Sequence, residues 1–192
     1  TVEENRMAIK ILRGLGLKLE VGFIFFDPLA DMEDLYDNIN FIGESSLYKT
    51  DSRIFGSLRV QEGTAYVKML EKRGLLGKHR KESLSYSGHY QDDEVFFIKA
   101  TFDKWERATV KLVRLLPLSV RLQYYEMNFL FLRDILRSYS SAGQNGVRKT
   151  VVDCAKRRKN FLNTIWDTGG LLNRYLAQAK IANDALTLES SP

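Results

Sequence analysis

The feature that most constrains the fold is an alternation of helix and strand patterns in the front part of the chain. Thr1 and Glu4 have the spacing of a capping box, and the apolar residues that follow at helical spacing predict a helix that ends at Gly14 and Gly16. The mostly apolar run Leu19–Phe26 comes next, and its aromatic and β-branched content favours a buried strand of a parallel sheet.

The same pattern then repeats once. We predict a helix over Asp31–Glu44, a short strand over Gly56–Gln61 and a helix over Ala65–Lys72. Such an order needs a parallel sheet with right-handed crossovers. Because two strands cannot bury both faces of that sheet, we expect the last two βα units of a TIM-type barrel. The first residue, Thr1, is not Met, and we expect the chain to be a piece of a longer protein.

Five segments in this front part carry a resemblance to a known family. They are Thr-Val-Glu-Glu-Asn with Ala-Ile-Lys-Ile-Leu-Arg-Gly-Leu-Gly-Leu (within 1–17), Val-Gly-Phe-Ile-Phe-Phe-Asp-Pro (21–28), Met-Glu-Asp-Leu (32–35), Leu-Arg-Val-Gln-Glu-Gly-Thr (58–64) and Arg-Gly-Leu-Leu (73–76). In this order they resemble the second half of a radical S-adenosylmethionine (radical SAM) domain. The cobalamin-associated branch is the most similar, through its anaerobic magnesium-protoporphyrin monomethyl ester cyclase-like group.

The resemblance implies both an architecture and a reaction class. Residues 1–80 would be the C-terminal part of a radical SAM barrel with parallel strands, 81–94 a linker, and 95–192 an all-α domain. The parent enzyme would cleave S-adenosylmethionine reductively at a [4Fe–4S] cluster to drive radical methylation, cyclisation or rearrangement of a small molecule, with cobalamin in one branch. The missing N-terminal barrel half, in the same polypeptide, would be the partner of this chain.

Two departures from the family pattern limit what the chain can do alone. The cluster-binding Cys-x-x-x-Cys-x-x-Cys motif is absent, and the one cysteine, Cys154, cannot replace its three thiolates. The family's Gly-Thr-Pro-like turn reads Gly63, Thr64, Ala65 here. We therefore expect the isolated chain to be inactive, and the sequence assigns no catalytic residue and no metal ligand.

Candidate binding residues follow from where parallel barrels hold their ligands. Side chains and backbone groups converge at the carboxyl ends of the strands. The resemblance places cofactor contacts at the ends of the two predicted strands, with the backbone of the second in the position of the family's adenine contacts. The candidates are Phe25, Phe26, Asp27, Val60, Gln61 and Glu62, and further substrate contacts after the barrel are Tyr86, His89 and Tyr90.

A plainer structural role remains open for several of these residues. Phe25 and Phe26 suit a buried core, and Asp27 before Pro28 suits a turn. The segment 62–64 suits the start of a helix capped by Thr64.

The rear of the chain is predicted to be helical. An amphipathic helix is expected over Val95–Leu116, and an apolar seam from Leu118 to Tyr139 indicates a largely buried one. A loop over 140–146, a helix from Val147 to Ile165, a break at 168–170 and a last helix over Leu171–Ala185 complete a bundle.

Residues 103–160 carry 13 basic and 5 acidic side chains, a net charge of +8. This leaves an alternative, a non-enzymatic helical interaction or RNA-binding module. The run Lys156-Arg157-Arg158-Lys159 points around the whole circumference of a helix, which favours a solvated flank over a nucleic-acid interface. Cys154 lies on the apolar seam and is expected to be an inert buried thiol.

Composition excludes several other classes of protein. With 44% hydrophobic residues, 9 Tyr, 11 Phe and 2 Trp, the chain is too apolar for a disordered tail. Two histidines, His79 and His89, cannot form a three-histidine zinc site, and one cysteine excludes a disulfide framework. We expect no secretory leader and no membrane span, and a reducing cytoplasm as the location.

Overall fold

The computed structural model describes residues 1–50, 54–113, 115–165 and 170–189. These form a mostly helical protein with a small parallel sheet, a hairpin sheet and a long helix that folds back on itself. The helices are α1 Val2–Gly14, α2 Met32–Glu44, α3 Ala65–Lys72, α4 Asp93–Arg107, α5 Val110–Val113, α6 Leu118–Thr164 and α7 Gly170–Glu189. The strands are β1 Ile24–Phe26, β2 Gly56–Ser57, β3 Val60–Gln61, β4 Leu76–Arg80 and β5 Ser85–Gly88.

The front part has the predicted parallel pairing. β1 and β2 run parallel, with Ile24 opposite Gly56 and Phe26 opposite Ser57. The pairing continues for one more bond, from the Leu58 N–H to the Phe26 carbonyl (2.9 Å). The helices α1, α2 and α3 lie where the sequence predicts them, and the Thr1–Glu4 capping box is formed. Two parallel strands are a small sheet, and they do not by themselves make a barrel.

The second predicted strand divides between two sheets. Gly56 and Ser57 pair with β1, whereas Val60 and Gln61 pair antiparallel with β5. The strand order of this second sheet is β3-β5-β4, with β4 and β5 joined as a hairpin. The hairpin could not be predicted from the sequence, because its strands are polar and lack a regular apolar alternation.

One hydrophobic core joins the front and the rear of the chain. Phe25 and Phe26 of β1 are fully buried, and the Phe26 ring lies 5.9 Å from that of Phe102 in α4. The Phe102 ring in turn lies 6.4 Å from that of Phe131 in α6. A smaller cluster between α6 and α7 contains Leu162 and other residues, namely Leu116, Ile165, Leu176 and Ala179.

Two predictions for the rear helices need correction in detail. The predicted helix over 95–116 divides into α4 and α5, with buried Ala108 and Thr109 between them. The predicted loop over 140–146 shrinks to Ala142 and Gly143, which alone have non-helical backbone angles inside α6. Gly143 has a φ of +56°, a conformation that favours glycine. In the predicted break, Thr168 and Gly169 lie outside the described residues.

The corner at Gly143 turns α6 into a helical hairpin. Residues 118–141 form one arm and residues 144–164 the other. The Ser138 and Thr150 hydroxyls lie 2.6 Å apart, and Asp134 accepts a hydrogen bond from Arg157 at 3.2 Å. The residue that lies earlier in the first arm, Asp134, contacts the residue that lies later in the second arm, Arg157. The two arms therefore run antiparallel.

Candidate functional site

Polar side chains converge at the carboxyl ends of the two parallel strands. Asp27 follows β1 directly, and Ser57 is the last residue of β2. Tyr66, in the first turn of α3, donates its hydroxyl to an Asp27 carboxylate oxygen. Tyr90 lies between β5 and α4, and its phenol interacts with the Ser57 side chain. We call Asp27, Ser57, Tyr66 and Tyr90 the strand-end cluster.

The backbone holds Asp27 in place. Its carboxylate accepts a hydrogen bond from the Leu29 N–H (2.8 Å), and its carbonyl accepts one from the Ala30 N–H (3.1 Å). Asp27 therefore forms the turn that the sequence left open as an alternative, and it also presents its carboxylate to Tyr66. The two roles are compatible, because one carboxylate oxygen, Oδ1, accepts both bonds and has more than one acceptor position.

The hairpin closes over this end of the strands. The Gln91 N–H donates to the Pro28 carbonyl at 2.9 Å. A Cβ on Gly88 would lie 2.8 Å from the Pro28 ring, so a side chain at this position has no room. The absence of a side chain on Gly88 thus lets the hairpin approach the turn after β1, and this contact brings Tyr90 to the cluster.

Both phenols of the cluster are neutral hydrogen-bonding groups near pH 7. Burial raises the pKa of Tyr66 well above its ordinary value, and the hydrogen bond to Asp27 raises it further. Burial also raises the pKa of Tyr90 to about 12. The Lys99 ammonium lies 5.9 Å from the centre of the Tyr90 ring, and it forms an ion pair with Asp103. The cluster therefore combines one carboxylate acceptor with phenol and serine hydroxyls.

The predicted site residues lie in three places, namely the strand-end cluster, the buried core and the hairpin sheet. Asp27 and Tyr90 meet in the strand-end cluster, whereas Phe25 and Phe26 are fully buried beneath it and have no exposed surface. Val60 is also buried, and its backbone pairs with Tyr86 of β5.

Glu62 and the remaining candidates lie on the hairpin sheet. Glu62 is exposed and lies 3.2 Å from the His79 imidazole, which packs on the Tyr86 ring at 4.7 Å. His89 is exposed, and its N–H donates to the Leu75 carbonyl.

Gln61 keeps one side of its backbone open. β3 is an edge strand of the described sheet, and the Glu62 N–H donates to the Leu84 carbonyl at 2.9 Å. Because hydrogen-bonding directions alternate along an antiparallel strand, the Gln61 N–H points away from β5. The Gln61 carbonyl accepts from the Thr64 hydroxyl at 2.8 Å. Thr64 is the N-cap residue of α3, one of the two roles that the sequence left open, although its side chain makes no capping bond.

Ser57 and Tyr66 are not among the site residues predicted from the sequence. A hydroxyl at the end of the second strand was a usable signal, because strand ends carry the ligands of parallel sheets. The position of Tyr66 could not be predicted from the sequence. It depends on how α3 packs, and α3 follows β3, which belongs to the second sheet.

The described residues hold no metal site. They contain no group of three His, Cys, Asp or Glu side chains placed to share an ion. Cys154 lies among the buried residues of α6, where burial raises the pKa of its thiol, in agreement with the inert role predicted from its seam position. None of the described helices has the length and hydropathy that crossing a membrane requires.

The chain shares its fold with part of a known enzyme. The cobalamin-dependent S-adenosylmethionine radical enzyme OxsB, with aqua-cobalamin and S-adenosylmethionine bound, superposes with a TM-score of 0.61 and 15% identity, over 97% of this chain and 34% of that one. The structure of OxsB with aqua-cobalamin bound gives 0.60 and 16%, over 98% and 37%.

No family model and no curated protein matches the sequence. This chain spans about a third of the length of the OxsB structures. Its fold is thus similar to a part of a cobalamin-dependent radical SAM enzyme.

Proposed function

We propose that this chain is the C-terminal part of a cobalamin-dependent radical SAM enzyme. The observation that carries the proposal is the similarity to OxsB over nearly all of the chain, which extends the sequence resemblance beyond residues 1–76. In this proposal residues 1–80 are the last two βα units of a TIM-type barrel, 81–94 a linker and 95–192 a helical domain. The resemblance to the cyclase-like group favours radical methylation, cyclisation or rearrangement of a small substrate.

The iron–sulfur cluster does not fit this chain. A [4Fe–4S] cluster needs three or four thiolates, and Cys154 is the single cysteine and is buried within α6. The proposal therefore assigns the cluster and its electron to the missing N-terminal half. We assign no residue to cobalamin.

The strand-end cluster suits one edge of an S-adenosylmethionine site. The Asp27 carboxylate accepts hydrogen bonds from hydroxyl or ammonium groups, and the Tyr90 phenol stays protonated near pH 7. The open Gln61 N–H is a backbone donor of the kind that holds a nucleobase edge. When bound, S-adenosylmethionine supplies the radical chemistry of such enzymes. In this proposal, Asp27, Tyr90 and the β3 edge bind and orient its polar ends.

The front of the molecule has a surface suited to the missing half. Within the described residues, β1 pairs with β2 alone, and Ile24 at its start is about half-exposed. Helix α1 has no buried residue, and Met7, Ile11 and Leu15 form an exposed apolar stripe at i, i+4 and i+8. A preceding parallel strand with its crossover helix would cover both features, because the units of a barrel pack side by side.

A binding experiment with the isolated chain tests this proposal. We expect S-adenosylmethionine to bind more weakly than about 1 mM, since most of the pocket belongs to the missing half. Amide chemical-shift changes should nonetheless concentrate around Asp27, Gln61 and Tyr90. The variant Asp27→Asn should reduce them, whereas Glu71→Gln, an exposed change on α3, should not. Shifts scattered over the surface, or unchanged in Asp27→Asn, would contradict the proposed site.

The RNA-binding alternative is less favoured by the contacts of the basic run. Arg158 is fully buried, and Arg157 pairs with Asp134 at 3.2 Å. Lys156 lies 3.7 Å from Asp153, and Lys159 lies 3.3 Å from Asp184. A gel shift that weakens steeply between low and moderate salt would nevertheless support this alternative.

A further inference from the structure

A second concave surface lies at the opposite end of β1 from the strand-end cluster. It is a groove of about 480 Å³ between the segment that follows α1 and the start of α6. We call it the leucine–lysine groove, and it is lined by Arg13, Leu17, Lys18, Leu19, Ser46, Lys49, Thr50, Leu118 and Leu122. Leu17–Leu19 precede β1 whereas Asp27 follows it, so the groove is separate from the candidate site.

The charged side chains among the described lining residues of the groove all have the same sign. Arg13, Lys18 and Lys49 line it, and no carboxylate appears among its described lining residues. The Arg13 guanidinium is fixed by the Ser45 carbonyl and by the Ser46 carbonyl at 3.0 Å. A cavity edged by three cations attracts an anionic group.

The apolar wall of the groove is aliphatic. Four leucines contribute to it, and Leu17 and Leu118 are about half-exposed, at 53% and 51%. Exposed apolar surface that is rimmed by charged side chains is typical of a binding surface. Because its described lining residues include no aromatic side chain, the groove suits a flexible alkyl chain better than a planar ring.

A competing cavity between the two arms of α6 is less suited to a ligand. It measures about 230 Å³, below the roughly 300 to 1,000 Å³ of typical ligand pockets. The Trp105 indole on its wall is covered by Phe131 at 4.0 Å and by Arg158 at 3.6 Å. Its large aromatic surface is thus already used inside the protein.

We propose that the leucine–lysine groove binds a free, single-chain amphipathic anion, an alkyl chain that ends in a carboxylate or a phosphate. The headgroup lies against Lys18 and Lys49, and the chain lies along Leu17, Leu118 and Leu122. The proposal does not depend on radical SAM chemistry, because the groove shares no residue with the strand-end cluster.

Calorimetric titration with defined amphiphiles tests the proposal. We expect dodecanoate and dodecyl phosphate, below their micelle concentrations, to bind saturably, and dodecyltrimethylammonium not to bind. The double variant Lys18→Glu/Lys49→Glu should raise the Kd at least tenfold. The matched control Lys68→Glu/Lys72→Glu, which reverses two exposed lysines on α3, should leave it unchanged. The variant Leu118→Asp should also weaken binding, through loss of the aliphatic wall.

Several results would overturn the proposal. Equal binding of the cationic and anionic amphiphiles would show that charge is not recognised. An unchanged Kd in the Lys18→Glu/Lys49→Glu variant, with its circular dichroism spectrum intact, would place binding elsewhere. Binding to phosphatidylglycerol vesicles without binding of monomeric dodecanoate would identify a membrane surface in place of a small-molecule groove.

Discussion

At the scale of single residues, Arg158 is the most unusual side chain of the protein. Its guanidinium is fully buried, and no carboxylate pairs with it in the part of the chain that the structure describes. It donates to the Asn183 side chain at 2.6 Å and to the Trp105 carbonyl at 2.5 Å. Trp105 lies in the last turn of α4, where the helix dipole favours a cation. The carbonyl and the indole face offset only part of the cost of burying the charge, since burial still lowers the pKa of Arg158 to about 9.

We predict that Arg158→Lys destabilises the protein by about 2 to 4 kcal/mol, because an ammonium cannot make both hydrogen bonds and the planar stacking on Trp105. Urea denaturation measures the change. The exposed substitution Arg107→Lys is the control and should alter stability by less than about 0.5 kcal/mol. Equal effects of the two substitutions would mean that the buried contacts of Arg158 contribute little.

The raised pKa of Tyr90 predicts a loss of stability in alkaline solution. The folded state holds this proton up to a pKa of about 12, against an ordinary value near 10. The folded protein therefore binds more protons than the unfolded chain between these values, and the stability that Tyr90 contributes below pH 10 is lost as the pH rises to about 12. Tyr90→Phe should weaken this alkaline dependence, and Tyr86→Phe serves as its control. Thermal unfolding at a series of pH values measures the loss of Tm with rising pH. The same loss in Tyr90→Phe and Tyr86→Phe would mean that Tyr90 does not contribute to it.

At the scale of the elements, the corner of α6 depends on a close approach of its two arms. A Cβ on Gly146 would lie 2.5 Å from the Ser138 carbonyl oxygen, so the backbone would have to shift. Ser138 also holds Thr150 across the hairpin. The corner is therefore specified by the small residue that follows it as well as by Gly143.

We predict that Gly146→Ala destabilises the protein by about 2 kcal/mol, since the added methyl overpacks the hairpin. A domain of this size should then lose roughly 4 to 8 °C in Tm. Gly14→Ala, in open space at the end of α1, is the matched control and should not lower the Tm. Scanning calorimetry measures the Tm of both variants. A lowered Tm for both would indicate a general effect of alanine and would contradict the overpacking argument.

The elements differ in how far the sequence predicted them. α1, α2 and α3 were predictable because capping residues and apolar spacing are local signals, as with Thr1 and Glu4. The division of the second strand at Leu58 was not, since it depends on pairing with β5, a strand without an apolar pattern. The same holds for the site: Asp27 follows from its place after a strand, whereas the approach of Tyr66 and Tyr90 depends on tertiary packing.

At the scale of the whole molecule, the apolar stripe of α1 predicts how the isolated chain behaves. Met7, Ile11 and Leu15 are each more than half-exposed, at 54%, 53% and 67%. We predict concentration-dependent self-association of the isolated chain, because association buries the exposed apolar stripe. Ile11→Glu/Leu15→Glu should keep it monomeric in sedimentation velocity, whereas Lys10→Glu should not. Association that persists unchanged in the double variant would exclude α1 as the contact.

The proposed parent enzyme also makes a prediction about the gene. The coding sequence before Thr1 should contain a Cys-x-x-x-Cys-x-x-Cys motif some 100 to 150 residues upstream, a span that corresponds roughly to one ordinary domain. Sequencing of the complete reading frame checks this directly. An upstream region without three clustered cysteines would refute the radical SAM assignment and leave the amphiphile proposal unaffected.

The ring contacts that tie Phe26 to Phe102, and Phe102 to Phe131, have a consequence for biosynthesis. Phe131 leaves the ribosome 105 residues after Phe26. At a translation rate of about 5 to 20 residues per second, the aromatic strand β1 stays unburied for roughly 5 to 20 s before the helices that bury it are synthesised. The nascent chain therefore exposes an aggregation-prone aromatic segment during much of its translation. We expect the yield of the protein in cells to depend on chaperones that bind exposed hydrophobic segments.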